Sequence, residues 1–161
     1  MPLASLVEEA RVVVPLRARD REEALRTLVG CLVSSGRLPD EARPSVLEAL
    51  EAREKVSSTA LGQGIALPHA TVEGVTRFEA VLGILPEGVP FGAPDGQPAT
   101  IIVLLLIPRS AVRKYSTTLA GIARLLGQEE ARRALRGSRS PAEAMDILRV
   151  HEGMDVRKEV P

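Results

Sequence analysis

The chain is poor in aromatic and sulfur-bearing side chains. Its 161 residues include two phenylalanines, one tyrosine, one cysteine and no tryptophan. One cysteine cannot form an internal disulfide or supply a structural zinc site, and Cys31 lies among the apolar residues of a predicted helix. We therefore interpret Cys31 as part of a core that is built mainly from Leu, Val, Ile and Ala.

The sequence also lacks an excess charge of either sign. Its 21 basic and 21 acidic residues cancel, so no net field would hold nucleic acid or an anionic bilayer. The longest apolar run, Ile101–Ile107, ends at Pro108 and is much shorter than the roughly 20 residues of a membrane span. The N-terminus has neither the basic start nor the apolar stretch of a secretory signal. We expect a cytoplasmic protein with no nucleic-acid partner and no membrane insertion.

Apolar periodicity predicts one domain over residues 1–150. In chain order, we predict a strand at 12–14, helices at 20–36 and 40–53, a strand with a shaped loop within 56–67, strands at 78–85 and 100–107, and helices at 119–126, 128–135 and 140–150. The order β-α-α-β-β-β-α-α-α favours the α/β (α+β) class, as a three-layer α/β/α sandwich with a mixed β-sheet. The last two strands should pair antiparallel because their connection has no room for a crossover helix.

Polar side chains mark the expected ends of the helices. Asp20, Asp40 and Ser140 stand where N-caps are needed, and Glu23 and Glu143 complete two capping boxes. Residues 151–161 are charged and without periodicity, so we predict a flexible C-terminal tail there.

One of the two histidines has an unusual setting. His69 ends the segment Gly62–His69, in which two glycines and a proline shape and stiffen the backbone before the ring. The hydroxyls of Ser57–Thr59 and the planar fork of Arg53 suit the oxygens of a phosphate group. These residues indicate a histidine beside an anion site, and a purely structural turn at His69 is the alternative.

Other chemistries have less support. Neither a second histidine nor a cysteine lies near His69, so the usual metal-ligand spacing is missing. The sequence contains no G-x-S-x-G nucleophile elbow and no G-x-x-x-x-G-K-[ST] phosphate loop. We interpret the arginines of the C-terminal half as solvent-exposed helix faces; these are Arg109, Arg113, Arg124, Arg132 and Arg133.

The stretch that ends at His69 carries a specific motif. Residues 53–69 fit the pattern R-E-x-x-x-S-T-x-x-G-x-G-x-A-x-P-H, and further matches follow in order at Pro90–Phe91, Ala93–Pro98, Ile101–Pro108 and Leu119–Leu126. This sequence resembles the EIIA domains of the bacterial phosphotransferase system, in their mannitol/fructose and nitrogen-regulatory (PTS EIIA type-2) class. The resemblance covers about residues 5–150.

The resemblance implies a three-layer fold and a role for each motif residue. His69 would accept a phosphoryl group from the phosphocarrier protein HPr and pass it on, in transporters to an EIIB domain. Arg53 would neutralise the phosphoryl oxygens, while Ser58 and Thr59 would position the ring and the anion. The reaction would require no cofactor, neither a metal nor a nucleotide.

Two positions depart from the family pattern. Tyr115 stands where most members carry a second active-site histidine, and Gly92 stands where they carry aspartate. A phenol has a pKa near 10 against about 6.5 for imidazole, so Tyr115 can donate a hydrogen bond but cannot share a positive charge. Tyr115 is either a functional substitute or a packing residue against His69.

We predict a regulatory phosphocarrier that most resembles the nitrogen-regulatory EIIA proteins. The 161 residues contain no EIIB, EIIC or HPr-like segment, which favours this branch over the sugar permeases. One alternative is a sugar-transport EIIA that donates phosphate to a separate EIIB. The other is a degenerate EIIA-like module that binds regulatory target proteins without phosphotransfer.

Overall fold

A computed structural model describes the backbone of residues 2–159 and the side chains of residues 2–153. The described chain forms six strands and six α-helices. In chain order they are α1 Leu3–Leu6, β1 Val12–Val13, α2 Arg21–Ser34, α3 Arg43–Val56, β2 Ala60–Gly62, β3 Ile65–Ala66, β4 His69–Val72, β5 Glu79–Val89, β6 Ala99–Pro108, α4 Tyr115–Leu126, α5 Glu129–Arg136 and α6 Pro141–Glu159.

The strands form one mixed sheet with β5 and β6 as its long central pair. These two strands run antiparallel, with Glu79 opposite Leu106 and Val89 opposite Ala99, as their short connection predicts. Strand β1 lies parallel to β5, and both β3 and β4 lie parallel to β6. Strand β2 pairs antiparallel with β3 at one edge.

Strand β6 is buried on both faces and separates two hydrophobic clusters. The side chains of Ile102, Leu104 and Leu106 pack with α2 and α3. Those of Ile101, Val103, Leu105 and Ile107 pack with α1, α4, α5 and α6. Because successive side chains of a strand point to opposite faces, helices are needed on both sides of this apolar run. The predicted three-layer sandwich with a mixed sheet is confirmed.

The helix starts follow two of the three predicted caps. Asp20 accepts a hydrogen bond from the Glu23 N–H at 2.8 Å, and Ser140 accepts one from the Glu143 N–H at 3.1 Å. Asp40 is not an N-cap, because a 3₁₀ turn at Asp40–Ala42 precedes α3 and its carboxylate binds the Arg43 guanidinium at 2.9 Å.

The segment before His69 contains more strands than the sequence predicts. Strands β2, β3 and β4 occupy residues 60–72, where we expected one strand and a shaped loop. Gly62, Gln63 and Gly64 all adopt positive φ, at 93°, 57° and 81°, which reverses the chain between β2 and β3 within three residues. Strands of two to four residues leave little periodicity to detect.

The C-terminal helix is longer than predicted. Helix α6 runs from Pro141 to Glu159, so the predicted helix end near Val150 is wrong, and the stretch predicted as a tail is helical to residue 159. The carboxylate of Glu152 accepts hydrogen bonds from the Leu3 and Ala4 N–H groups, at 2.6 Å each. A polar residue of the aperiodic stretch thus caps the first turn of α1. Residues 160 and 161 of the predicted tail lie outside the described residues.

The structure tests two predictions about side chains of the helices, those for Arg132 and Cys31. Arg132 is 8% exposed and donates to the Leu126 and Gly127 carbonyls at 3.0 and 2.7 Å, so its predicted place on a solvated face is wrong. The end of α4 needs donors for its free carbonyls, and Arg132 supplies them. Cys31 packs against the core as predicted, and burial raises the pKa of its thiol.

Candidate functional site

His69 is the first residue of β4 and lies beside Leu105 of β6. Its Nδ1 atom is 2.8 Å from the carbonyl oxygen of Leu67. Because a carbonyl oxygen can only accept, Nδ1 carries the proton and Nε2 keeps the lone pair. The half-buried ring is therefore held in the tautomer whose Nε2 can act as a nucleophile.

Two shallow depressions meet at His69 and Arg53. One, of about 280 Å³, is lined by Ser58, Thr59 and the middle of α4, and the other, of about 250 Å³, is lined by Tyr115 and Thr71. The structure therefore brings together every site residue that the sequence predicts, which are His69, Arg53, Ser58, Thr59 and Tyr115.

Arg53 is the cation of this site. It lies half-buried in the last turn of α3, and its Nη1 donates to the Ser57 carbonyl at 2.9 Å. Among the described residues, no carboxylate lies within ion-pair distance of Arg53. One hydrogen bond therefore holds the guanidinium beside His69, and its remaining N–H groups are available to an anion.

Glu54 is a site residue to which the sequence analysis assigns no role. It is 5% exposed, and its carboxylate accepts the Thr59 N–H at 3.2 Å and the Thr59 hydroxyl in a short hydrogen bond. The Thr59 carbonyl accepts from the Leu67 N–H at 3.1 Å, and the Leu67 carbonyl holds Nδ1 of His69. Glu54 thus supports the orientation of the ring through two intervening residues. The sequence did contain a signal for Glu54, because Glu54 is the glutamate that follows arginine at the start of the R-E-x-x-x-S-T motif.

Ser58 joins the site to the loop that precedes β6. Its hydroxyl donates to the Phe91 carbonyl at 2.5 Å and accepts from the Ala60 N–H at 3.0 Å. Gly92 follows Phe91 with φ of 75°, and a Cβ there would lie 3.4 Å from the Ser58 Cβ. The hydroxyls of Ser58 and Thr59 therefore hold the backbone around His69, and their action on a bound anion stays a prediction.

Tyr115 lies next to His69. The two ring centroids are 6.2 Å apart and the ring planes meet at 31°, a distance typical of packed aromatic pairs. Tyr115 is the first residue of α4, and it is half-buried against the same depression as Arg53.

Three exposed apolar side chains lie at the edge of this site, and we call them the apolar rim. Val56, Leu61 and Val112 are 81%, 50% and 42% exposed. Leu61 and Val112 line the two depressions, and Val56 lies one turn beyond Arg53 at the end of α3. Exposed apolar side chains clustered around a polar centre are typical of a surface that docks another protein.

Asp95 connects the turn that follows Leu61 to the loop before β6. Its carboxylate accepts from the Gln63 N–H at 2.7 Å and from the Gln97 N–H at 3.0 Å. These two backbone hydrogen bonds, first that of Gln63, lower the pKa of Asp95. The contact fixes the Gly62–Gly64 turn, and with it Leu61, against the loop before β6.

Comparison with known proteins identifies the family of this chain. Residues 5–150 match the family described as "Phosphoenolpyruvate-dependent sugar phosphotransferase system, EIIA 2". The chain belongs to this EIIA type-2 family. The resemblance drawn from the Arg53–His69 motif is confirmed, and the protein is a phosphocarrier of the EIIA kind.

Its relatives include regulatory and transport proteins. The EIIA chain is 30% identical over 148 residues to a nitrogen regulatory protein of Bradyrhizobium diazoefficiens, covering 92% of this chain and 95% of that protein. The crystal structure of nitrogen regulatory protein IIA-Ntr from Neisseria meningitidis matches with a TM-score of 0.82 at 29% identity, covering 91% and 98% of the two chains. The Escherichia coli complex of IIAMtl with phosphorylated IIBMtl matches at 0.74 and 25%, covering 89% and 96%.

Neither a metal site nor a membrane span is found among the described residues. No group of three or more His, Cys, Asp or Glu side chains in the described part is arranged to hold a metal ion. None of its described helices combines the length and the hydropathy needed to cross a bilayer.

Proposed function

We propose that this EIIA protein is a cytoplasmic regulator of the nitrogen-regulatory kind, whose His69 accepts a phosphoryl group from phosphorylated HPr. The observation that carries the proposal is the hydrogen bond from His69 Nδ1 to the Leu67 carbonyl, which leaves Nε2 as the nucleophile beside Arg53. Partner proteins would then bind differently to the phosphorylated and the free form.

In the proposed reaction, Nε2 of His69 attacks phosphorus while the donor's bond to phosphorus breaks. The ring gains positive charge as the N–P bond forms, and the Nδ1 proton stays on the ring, where the Leu67 carbonyl accepts it. Arg53 offers its free N–H groups to the phosphoryl oxygens, which carry the most charge during transfer. An imidazole nitrogen can both attack phosphorus and leave it, so the same residue can accept and later release the group.

Tyr115 would support the bound phosphoryl group by a neutral hydrogen bond. Its ring lies beside that of His69, and a phenol hydroxyl can donate a hydrogen bond to a phosphoryl oxygen. Ser58 and Thr59 act through the backbone that they fix around His69.

Phosphorylation would change the docking surface strongly. The sequence has no net charge, and the rim of Val56, Leu61 and Val112 is apolar. A dianionic group at the centre of this rim alters its local potential and its desolvation on binding. We therefore expect the free and the phosphorylated protein to bind different partners at this surface.

The regulatory assignment rests on the nitrogen regulatory relatives, which align with nearly the whole chain. A second candidate function is supported by the IIAMtl relative, whose structure is a complex with phosphorylated IIBMtl. In that case the apolar rim would dock a separate EIIB during sugar uptake. A module that only binds proteins is the third candidate, because Tyr115 replaces a histidine at the site.

The test is transfer of radiolabel from phosphorylated HPr to the full chain. We expect an acid-labile label on the parent and on His151→Ala, which removes the other histidine, and no label on His69→Ala. Label on His69→Ala would overturn the assignment of the site. An unlabelled parent would favour the binding-only module, and rapid passage of the label to an added EIIB would favour sugar transport.

A further inference from the structure

A larger cavity lies on the other face of the start of α4. Its volume is about 630 Å³, within the range of small-molecule sites. Lys114, Thr117 and Thr118 line it, whereas Tyr115 and Leu119 of the same segment line the His69 depressions. The remaining walls come from α1 and the segment after it, from the loop after α2, from the loop between β4 and β5 with the start of β5, and from the end of β6 with the residues after it.

The walls of this cavity carry more positive than negative charge. The cations are Arg11, Arg37, Arg77, Arg113 and Lys114, and the carboxylates are Glu8 and Glu79. Glu79 pairs with Arg77 at 3.3 Å and with Arg37 at 3.9 Å, and Glu8 pairs with Arg37 at 3.4 Å. Arg37 and Arg77 are therefore balanced within the wall, and the excess resides in the other three cations.

Arg11 is the buried residue among these three cations. Its side chain is 4% exposed, its Nη2 donates to the Leu6 carbonyl at 3.0 Å, and its closest ion-pair contact, to Glu8, is 3.9 Å. Its buried Nε has no hydrogen-bond partner. A buried guanidinium is unfavourable unless its N–H groups meet acceptors, so a wall that carries one favours an anionic ligand.

Arg113 and Lys114 complete the cationic side of the cavity. Both are exposed, and within the described part of the chain neither has a carboxylate at ion-pair distance. Leu6, Phe78 and Pro108 add apolar wall to the same cavity. We propose that this cavity binds a small organic anion, whose carboxylate or phosphate group contacts Arg11, Arg113 and Lys114 while its carbon skeleton packs on the apolar wall.

The site can be observed without any phosphotransfer assay. The chain contains one tyrosine and no tryptophan, so its intrinsic fluorescence reports Tyr115 alone. Tyr115 directly follows two of the proposed ligand-binding cations. An anion that binds Arg113 and Lys114 should therefore change the emission of Tyr115 in the unphosphorylated protein, with no HPr present.

The experiment is a titration of the ¹⁵N-labelled full chain with succinate and with glycerol 3-phosphate, and with succinamide as the uncharged control. We expect saturable amide shifts around Leu6, Phe78 and Thr118 with at least one anion and none with succinamide. The anion that binds more tightly identifies the carboxylate or the phosphate ester as the ligand group. Each of Arg113→Ala and Lys114→Ala should weaken binding about tenfold, because each removes a charge-assisted hydrogen bond.

Arg133→Ala is the matched control, since Arg133 is an exposed arginine of α5 that does not line the cavity. Equal weakening by Arg133→Ala would show non-specific charge attraction and overturn the proposal. Shifts confined to Arg53 and His69 would assign the anion to the phosphoryl site and would also overturn it. The lack of any cavity shift would also overturn it.

Discussion

The start of α4 separates two sites that differ in shape and in charge. On one face, His69 and Arg53 lie in shallow depressions with an apolar rim. On the other face, a cavity more than twice as large has five cations and two carboxylates in its walls. A shallow apolar rim suits the flat surface of a protein, whereas a larger cationic cavity suits a small charged molecule. The same short segment therefore borders two surfaces with different shape and charge.

The His69 face depends on one cation, and Arg53→Lys tests that dependence most strongly. Lysine keeps the charge but loses the planar fork that matches two phosphoryl oxygens. Loss of one charge-assisted hydrogen bond, about 1.5 to 3 kcal/mol, would slow transfer from phosphorylated HPr roughly ten- to a hundredfold. Rapid-quench kinetics measures this rate, with Arg133→Lys as the control. If Arg53→Lys transfers at the parental rate, Arg53 has no role in transfer beyond its place at the end of α3.

The His69 face also depends on a buried carboxylate, Glu54, which holds the backbone around Thr59. Glu54→Ala leaves the Thr59 hydroxyl and N–H without their partner. We expect the free energy of unfolding to fall by about 1 to 3 kcal/mol, and phosphotransfer to slow because the Leu67 carbonyl no longer holds the ring firmly. Urea unfolding and the transfer assay measure both effects.

Glu48→Ala, an exposed change on the same helix, is the control for Glu54→Ala. Unfolding of both variants at the same urea concentration would remove Glu54 from the support of the site.

Tyr115 stands at the border of the two faces, and its variants sharpen the comparison there. If the phenol donates to the phosphoryl group, Tyr115→Phe should slow transfer by about two- to tenfold, the worth of a neutral hydrogen bond. Tyr115→His should match or exceed the parental rate, because imidazole can carry charge near pH 7. The transfer assay measures both variants. A silent Phe variant together with a His variant that only loses stability would leave Tyr115 as a packing residue.

The smallest expected effect concerns the rim of the His69 face. The hydrogen bonds from Gln63 and Gln97 lower the pKa of Asp95 in the folded protein. The folded state therefore binds fewer protons at this group than the unfolded state, so the contribution is present above the unfolded pKa, near 4, and is lost as the pH falls through the lower folded value. Thermal unfolding between about pH 5 and 2 should show a smaller loss of stability for Asp95→Asn than for the parent. Parallel curves would contradict this role.

Much of the fold and the site could be predicted because the signals are local. The capping residues Asp20 and Ser140 act within three residues of themselves, and the Arg53–His69 motif places its functional side chains on one continuous segment. Asp40 failed as a cap because its neighbour Arg43 competes for the carboxylate. Glu152 was misjudged because its partners, at the start of α1, approach it only in the folded chain. Arg132 was misjudged because its side chain turns back to the carbonyls at the end of α4 and does not extend into solvent.

The sequence by itself determined the family, the buried central strand and the histidine that we propose as the phosphoryl acceptor, since these depend on contiguous residues and on apolar periodicity. Tertiary structure alone decided which nitrogen of His69 is free, that Tyr115 lies against it, and that α6 continues beyond Val150 to Glu159. It also assembled the cationic cavity from α1, the β4–β5 loop and the start of α4. Charges far apart in a neutral sequence have no visible pattern, and only packing of the helices on the sheet brings them to one surface.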